Sequence, residues 1–359
     1  MSSSAFPLEH SRGHGNDATE ITLSDDTYSK SYKPAKGNVW ATPKRLLGGL
    51  AEALTDSAVA HKKISFAVCI LLFLSLFTSV PYVPHLFGPK DPKVVIILAA
   101  NEGGGVFKWK GPQEWSVERS SIANKKQYAS KHGYGLTIKD MTIKKRYSHE
   151  WRESWEKVDL MKQAMRQFPN TEWFWWLDLH TYIMEPHLSL EKHFLNKLDN
   201  ATYRTLDTFN PLKIPVEMPY VDYTAPIDMV ITQDCGGFNL GSFLMRRSSW
   251  SEALLDIWWD PAMYEQMHMQ WEHKEQDALE TLYSTQPWIR ERVGFLPLRT
   301  INAFPPGACA EQADDPQFFY QEGDFVINMA GCEFGRDCWG EMEHYKALSK
   351  KLQKWWKLW

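Results

Sequence analysis

Five consecutive bulky apolar residues, Trp173-Phe174-Trp175-Trp176-Leu177, constrain this chain more than any other feature. A short apolar run of this kind, rich in aromatics, reads as a buried strand. It runs straight into Asp178-Leu179-His180. In open α/β sheets ligands collect at the carboxyl ends of strands. A carboxylate and an imidazole one residue apart at such an end can grip one divalent cation.

The surrounding pattern supplies the rest of the sheet. Residues 94–100 are β-branched and apolar, and predict a buried strand. Residues 115–131 predict a helix stopped by His132-Gly133, followed by a short strand over 134–138. Val158, Met161, Met165 and Phe168 follow a helical period over 154–168, and Pro169 ends it. The aromatic strand comes next, so the order is βαβαβ. That order implies an α/β fold with a mostly parallel sheet and helices on both faces. Phe238 to Met245 reads as a further strand, and Trp250, Leu254 and Trp258 as the core stripe of the helix after it.

Residues 64–80 carry no charge, and the apolar stretch continues to Phe87. A membrane span needs about 17–25 such residues. The sequence therefore predicts a transmembrane signal anchor over 64–83. His61-Lys62-Lys63 precedes it, and no positive charge follows until Lys90. The positive-inside rule then puts the N-terminus in the cytoplasm and the bulk of the chain in the lumen. Residues 1–60 are polar without a sustained apolar period, and read as a disordered cytoplasmic tail. Residues 84–92 form a short stem, and 93–341 the catalytic domain. Residues 342–359 form an amphipathic helix, with Tyr345, Leu348, Leu352, Trp355 and Trp359 on one face. Its placement is open between its own domain, a partner and a membrane surface.

A lumenal domain suits the cysteines. Cys69 lies in the span, while Cys235, Cys309, Cys332 and Cys338 lie beyond it, where disulfides persist. Four cysteines allow three pairings, all open. The spacing of Cys332 and Cys338, with no matching pair, argues against zinc. Asn200-Ala201-Thr202 is a glycosylation sequon and belongs on the surface. The net charge of -4 gives no nucleic-acid footprint. Trp and Tyr can pack on the C–H faces of sugars, and the chain has 17 Trp, but most are expected in the core.

A lumenal α/β enzyme with an acidic cation site fits sugar transfer from a nucleotide diphosphate, whose leaving group needs neutralising. Ala99-Ala100-Asn101-Glu102-Gly103-Gly104-Gly105 would let a nucleotide approach the backbone. Asp234-Cys235-Gly236-Gly237-Phe238-Asn239-Leu240-Gly241-Ser242 sets glycines around a carboxamide that can reach sugar hydroxyls. Glu275-Gln276-Asp277 opens a helical segment with an acid pair.

Together with Ser121-Ile122-Ala123-Asn124-Lys125-Lys126-Gln127-Tyr128-Ala129, His132-Gly133-Tyr134, Trp155-Glu156-Lys157 and Ala330-Gly331-Cys332, these segments carry a resemblance. Over roughly 93–345 the chain resembles the family uniting fungal Golgi α-1,6-mannosyltransferases, galactomannan galactosyltransferases and plant xyloglucan xylosyltransferases. The aromatic run and the Gly-Cys-Glu-Phe-Gly ending look most like the fungal mannosyltransferase branch, subunits of a Golgi mannan polymerase complex.

The resemblance implies a GT-A fold, a nucleotide-sugar donor, Mn²⁺ and retention of configuration. Asp178 becomes the first metal ligand. His180 stands where many members carry a second Asp, and Asn328 where members often carry His. Ala100, Asn101, Asn124, Lys125, Asn239 and Gly241 are expected to contact the donor. Asp178, Gln276 and Asp277 are expected to serve catalysis. The leading reading is transfer of mannose from GDP-mannose to the α-1,6-mannan backbone of N-glycans. Rival readings are a low-activity or structural subunit, favoured by the altered metal positions, and a UDP-galactose-dependent enzyme.

Overall fold

The computed structural model describes residues 91–100, 111–139, 155–267, 269–309 and 315–355. The expected tail, span and most of the stem lie outside them. Among the described residues, no helix is long and apolar enough to cross a membrane.

Among these residues the strands are β1 (Val94–Ala99), β2 (Gly135–Lys139), β3 (Trp173–Leu177), β4 (Thr181–Ile183), β5 (Met229–Gln233), β6 (Phe238–Arg246), β7 (Val293–Leu296) and β8 (Val326–Asn328). The longer helices are α1 (Pro112–His132), α2 (Glu156–Gln167), α3 (Ser249–Trp258), α4 (Pro261–Met267), α5 (Glu275–Thr285) and α6 (Cys338–Trp355). Gly133 at φ 69 closes α1 in the left-handed conformation, as the His132-Gly133 stop predicts.

One sheet runs in the order β2-β1-β3-β6-β5-β7, and β4 pairs separately with β8. β1 is parallel to β2 and β3, and β5 is parallel to β7. β6 runs antiparallel to both β3 and β5, so it alone is reversed. The reversal follows from a short turn. Asp234 Oδ1 accepts the backbone N–H of Gly236 at 2.7 Å and of Gly237 at 3.2 Å, folding β5 back into β6. Cys235 in that turn is bonded to Cys309, and Cys332 to Cys338, which settles the open pairing.

β3 is buried at every position, as its composition requires. Phe174 and Trp176 face a core with Val95, Ile97 and Phe243, covered by residues of α2, α3 and α5. Trp173, Trp175 and Leu177 face a second core with Val94, Ile96, Tyr128 and Phe325. Helices on both faces therefore hold the aromatic strand inside a mixed, mostly parallel sheet. Asp178 emerges at its carboxyl end, where its backbone N–H donates to the Gly241 carbonyl at 2.7 Å.

The C-terminal helix starts at Cys338 rather than at 342 and packs on its own domain. Met342 and Tyr345 are buried with Val117, Tyr182 and Met184. Ser349 Oγ donates to the Met184 carbonyl at 2.8 Å. Trp359 lies outside the described residues.

Helix α1 fixes β4 by two side chains. Asn124 Nδ2 donates to the Ile183 carbonyl at 3.0 Å, and Asn124 Oδ1 accepts the Ile183 N–H at 2.8 Å. Lys125, fully buried, donates through Nζ to Ser121 Oγ at 2.7 Å and to the Thr181 carbonyl. Burial brings the Lys125 ammonium down to about 7, opposed by the charge of Asp178. Between about 7 and the ordinary lysine value of 10.5, the unfolded chain holds a proton that the folded chain does not. Unfolding is then increasingly disfavoured as pH rises through that window. Lys125→Met removes this contribution. Denaturant unfolding from pH 7 to 10 is expected to show wild type gaining on the variant as pH rises; parallel profiles would contradict the burial of a neutral amine.

Candidate active site at the carboxyl end of the aromatic strand

Asp178 is held from behind and open in front. Trp176 Nε1 donates to its Oδ1 at 2.5 Å, and Lys157 Nζ lies 3.6 Å from the same oxygen. Its side chain is nonetheless 41% exposed. Crowding by surrounding protein raises the Asp178 carboxyl above the ordinary range, against the pull of Lys157 and of the Trp176 donor.

Lys157, on α2, is the cation at the back of the site. Its Nζ reaches Glu275 Oε1 at 3.1 Å and the Leu240 carbonyl at 2.9 Å, and lies 5.4 Å from the centre of a Trp176 ring. The Lys157 and Glu275 side chains are each 7% exposed. Burial alone would lower the lysine, but Asp178 and Glu275 more than offset it, so its ammonium is held above the usual range. Neither Lys157 nor Glu275 is among the site residues expected from sequence. The Trp155-Glu156-Lys157 segment and the acid pair at the start of α5 were the available signals.

His180 sits within the turn that follows Asp178. The Thr181 N–H and hydroxyl both donate to the Asp178 carbonyl, at 3.2 and 2.7 Å, closing that turn. His180 Nδ1 lies 3.1 Å from Glu333 Oε1, and the imidazole holds the Glu333 carboxyl below its usual range. Glu333 is a further residue not expected from sequence. His180, Cys332, Glu333 and Cys338 present ligand atoms within 4.8 Å of one another. The Cys332–Cys338 disulfide occupies both sulfurs, leaving His180 and Glu333 as ligands of that group.

Asn328 is brought alongside by register, since β8 pairs Asn328 with Thr181. It is buried, and its Nδ2 donates to Asn239 Oδ1 at 3.3 Å and to Asn302 Oδ1 at 3.1 Å. Asn302 in turn donates to Thr232 Oγ1 at 3.0 Å and the Ser242 carbonyl at 2.8 Å. Because the amide nitrogen is committed, the Asn328 oxygen is the end without a protein donor among the described residues. Pairing thus sets the Asp178 turn beside Asn328. A carboxylate, an imidazole and a carboxamide are residue types that ligate hard-to-borderline divalent ions, but the ligand atoms of the described residues group His180 with Glu333 and not with Asp178.

Several expected donor contacts have other work. Asn124 and Lys125 spend their polar groups on the β4 backbone, as described above. They position the strand after the Asp178 turn rather than presenting groups to a ligand. Asn239 Nδ2 donates to Asp234 Oδ2 at 2.8 Å, and its Oδ1 accepts the Gly241 N–H at 3.0 Å, so it braces the β5–β6 turn. A Cβ on Gly241 would collide with Asn328 Nδ2, so the glycine makes room for that amide. Ala100 is buried, and its N–H donates to the Lys139 carbonyl at 3.0 Å, extending the β1–β2 pairing. Asn101 lies outside the described residues.

The acid pair also divides differently. Asp277 Oδ2 accepts the His273 N–H at 2.9 Å and its Oδ1 lies 3.3 Å from His273 Nδ1, so Asp277 holds the chain entering its own helix. Glu275 is the member that reaches Lys157. Residues two apart on a helix point about 200° apart, so only one can face the sheet end. Gln276 is half-buried beside them.

The fold and site together are those of an α/β enzyme with an acidic ligand site at its strand ends. Residues 90–339 match the galactosyl transferase GMA12/MNN10 family. The chain is 63% identical over 272 residues to the "Probable alpha-1,6-mannosyltransferase MNN10" of Saccharomyces cerevisiae, covering 75% of this chain and 69% of that protein. It is 50% identical over 275 residues to a Schizosaccharomyces pombe protein named an uncharacterized alpha-1,2-galactosyltransferase, covering 75% of this chain and 79% of that one. A solved glycosyltransferase involved in glycosylation of the major capsid of PBCV-1 aligns with 71% of this chain and 100% of its own, at 17% identity and a TM-score of 0.45. The chain belongs to the GMA12/MNN10 family and is a glycosyltransferase.

Two substitutions test the geometry. Lys157→Met leaves Glu275 buried without its cation, and is expected to cost about 3–5 kcal/mol in denaturant unfolding. Adding Glu275→Gln should recover part of that loss; strictly additive losses would deny the ion pair. Gly241→Ala should destabilise the fold by about 1–3 kcal/mol through overpacking. Asn328→Ala in the same chain should relieve the clash, and thermal melts of the four-member cycle measure the coupling.

Proposed function

We propose that the chain transfers mannose from GDP-mannose to the α-1,6-mannan backbone of N-glycans, with retention of configuration. In this reading it is a single-pass type II protein of the Golgi membrane. Its GT-A-like domain is lumenal, and it works beside other mannosyltransferase subunits. The observation that carries the reading is Asp178, an outward-facing carboxylate at a strand end backed by a buried lysine. It lies in a chain 63% identical to a protein named a probable alpha-1,6-mannosyltransferase.

Asp178 and His180, with the Asn328 oxygen, would hold Mn²⁺, which when bound would supply Lewis-acid neutralisation of the leaving diphosphate. The chain's own residues do the positioning. Lys157 and the Trp176 N–H hold Asp178 Oδ1, leaving Oδ2 for the ligand. The Gly241 carbonyl and the Thr181 hydroxyl fix the backbone around it. Asn124 and Lys125 lock β4, and Glu333 orients the His180 ring. In the front-face route the bond from the anomeric carbon to the phosphate oxygen breaks as the acceptor oxygen bonds to that carbon. The acceptor proton passes to the leaving diphosphate, so no side-chain nucleophile is required.

The alternative of a structural or low-activity subunit draws support from one observation. Asn328 is committed to a buried carboxamide network, and His180 to Glu333.

The test is GDP release from GDP-mannose, with the chain alone and with candidate partner subunits. Activity should need Mn²⁺ and vanish on chelation. Asp178→Ala is expected to lower kcat at least about a hundredfold while the chain still folds cooperatively, because Glu275 and the Leu240 carbonyl still pair Lys157. Activity of the assembled complex surviving Asp178→Ala would favour the structural-subunit reading. Turnover of UDP-galactose in preference to GDP-mannose would replace the donor.

A further inference from the structure

Phe334 is 89% exposed, although burying a phenylalanine is worth about 1.5–3 kcal/mol. Its position gives the exposure meaning. Phe334 follows Glu333, whose carboxylate contacts the His180 ring, and Met329 N–H donates to the His180 carbonyl at 2.9 Å. The segment 329–336 is therefore fastened to the Asp178 turn at both backbone and side chain.

That segment is stiff. Cys332 N–H donates to the Met329 carbonyl at 3.1 Å, Phe334 N–H to the Gly331 carbonyl at 3.0 Å, and Arg336 N–H to the Cys332 carbonyl at 3.1 Å. Gly331 at φ 69 and Gly335 at φ 98 take backbone conformations that side-chain-bearing residues rarely adopt, one on each side of the ring. The Cys332–Cys338 disulfide ties the turn to the start of α6. Arg336 then grips Glu341 with two nitrogens, at 2.7 and 3.1 Å. An aromatic ring held out on a turn this constrained loses little further freedom when it binds something.

We propose that Phe334 is a stacking platform for the acceptor saccharide, holding the apolar C–H face of a pyranose ring against its π face at the edge of the donor site. The proposal rests on the transferase reading above and deepens it. An aromatic face is electron-rich and sugar C–H groups are its electropositive complement, so such a contact adds affinity without demanding particular hydroxyls. Attachment of its turn to the Asp178 turn through Glu333 and His180, rather than a position elsewhere on the surface, selects the acceptor over a partner protein. Phe334 is a binding residue and takes no part in bond making.

The experiment measures binding directly, so it does not depend on turnover. An α-1,6-linked mannotriose is titrated into the full chain loaded with GDP and Mn²⁺, and affinity is read by calorimetry and by saturation transfer from aromatic protons to the sugar. Phe334→Ala should weaken binding roughly tenfold, Phe334→Leu should weaken it similarly, and Phe334→Trp should restore it. In turnover assays the same loss should fall on the acceptor KM rather than on kcat. Unchanged saccharide affinity in Phe334→Ala overturns the platform, and a change of oligomeric state in that case reassigns the ring to a protein contact. Equal binding by the Leu variant and wild type also overturns it, since a merely apolar contact would suffice. Wild type that binds the saccharide without turning over any donor leaves the platform standing and defeats the catalytic reading instead.

Discussion

The buried ammonium of Lys157 is the contact on which the site depends. Removing a charge from water is costly unless its partners are close and complete. Here two carboxylates and one carbonyl surround it, from Asp178, Glu275 and Leu240. Those partners come from the β3 end, the start of α5 and the middle of β6. One cation on α2 therefore fixes four elements against each other where the sheet ends. It also breaks the symmetry of Asp178. Among the described residues both of these contacts fall on Oδ1, which leaves the other oxygen for a ligand.

Joined to that layer is a second one, built mainly of carboxamides. Asp234, Asn239, Asn328 and Asn302 form a chain of hydrogen bonds ending on Thr232 and the Ser242 carbonyl. Buried carboxamides are costly when half satisfied and rigid when fully satisfied. Gly241 makes the layer possible, because any side chain there would enter the space of the Asn328 amide. Its carbonyl meanwhile takes the Asp178 N–H. A single glycine thus joins the carboxamide layer to the Lys157 layer, and Asn328 serves the interior whether or not its oxygen serves a ligand.

What was legible in the sequence was periodic or local. The aromatic run, the Gly133 stop and the Asp178 strand end all follow from side-chain pattern within a few residues. The opposite holds for Asn124 and Lys125. They sit in a helix that resembles a donor-binding segment, but their partners are the backbone of Ile183 and Thr181, 59 and 56 residues away. No local pattern records such a contact. Glu275 and Asp277 show the same limit on a smaller scale. Composition marks the acid pair, but helical phase relative to a sheet decides which acid faces the site. The disulfides needed the whole fold, since Cys235 and Cys309 are 74 residues apart.

The charged layer also bears on whether the chain catalyses or only supports. Buried ion pairs rarely outdo well-packed apolar residues of the same volume, so stability alone gives little reason to build one. The carboxamide layer, α1 and the disulfides already hold the strand ends together without it. What Lys157 and Glu275 add is a fixed cation beside an outward-facing carboxylate, opposing the burial that raises it and holding the side chain in place. Perturbed, charge-coupled groups at strand ends are the arrangement that ligand chemistry requires. A purely structural subunit would gain nothing from keeping Asp178 in that state, so the network behind it favours catalysis even with His180 held by Glu333 and Asn328 by its carboxamide partners.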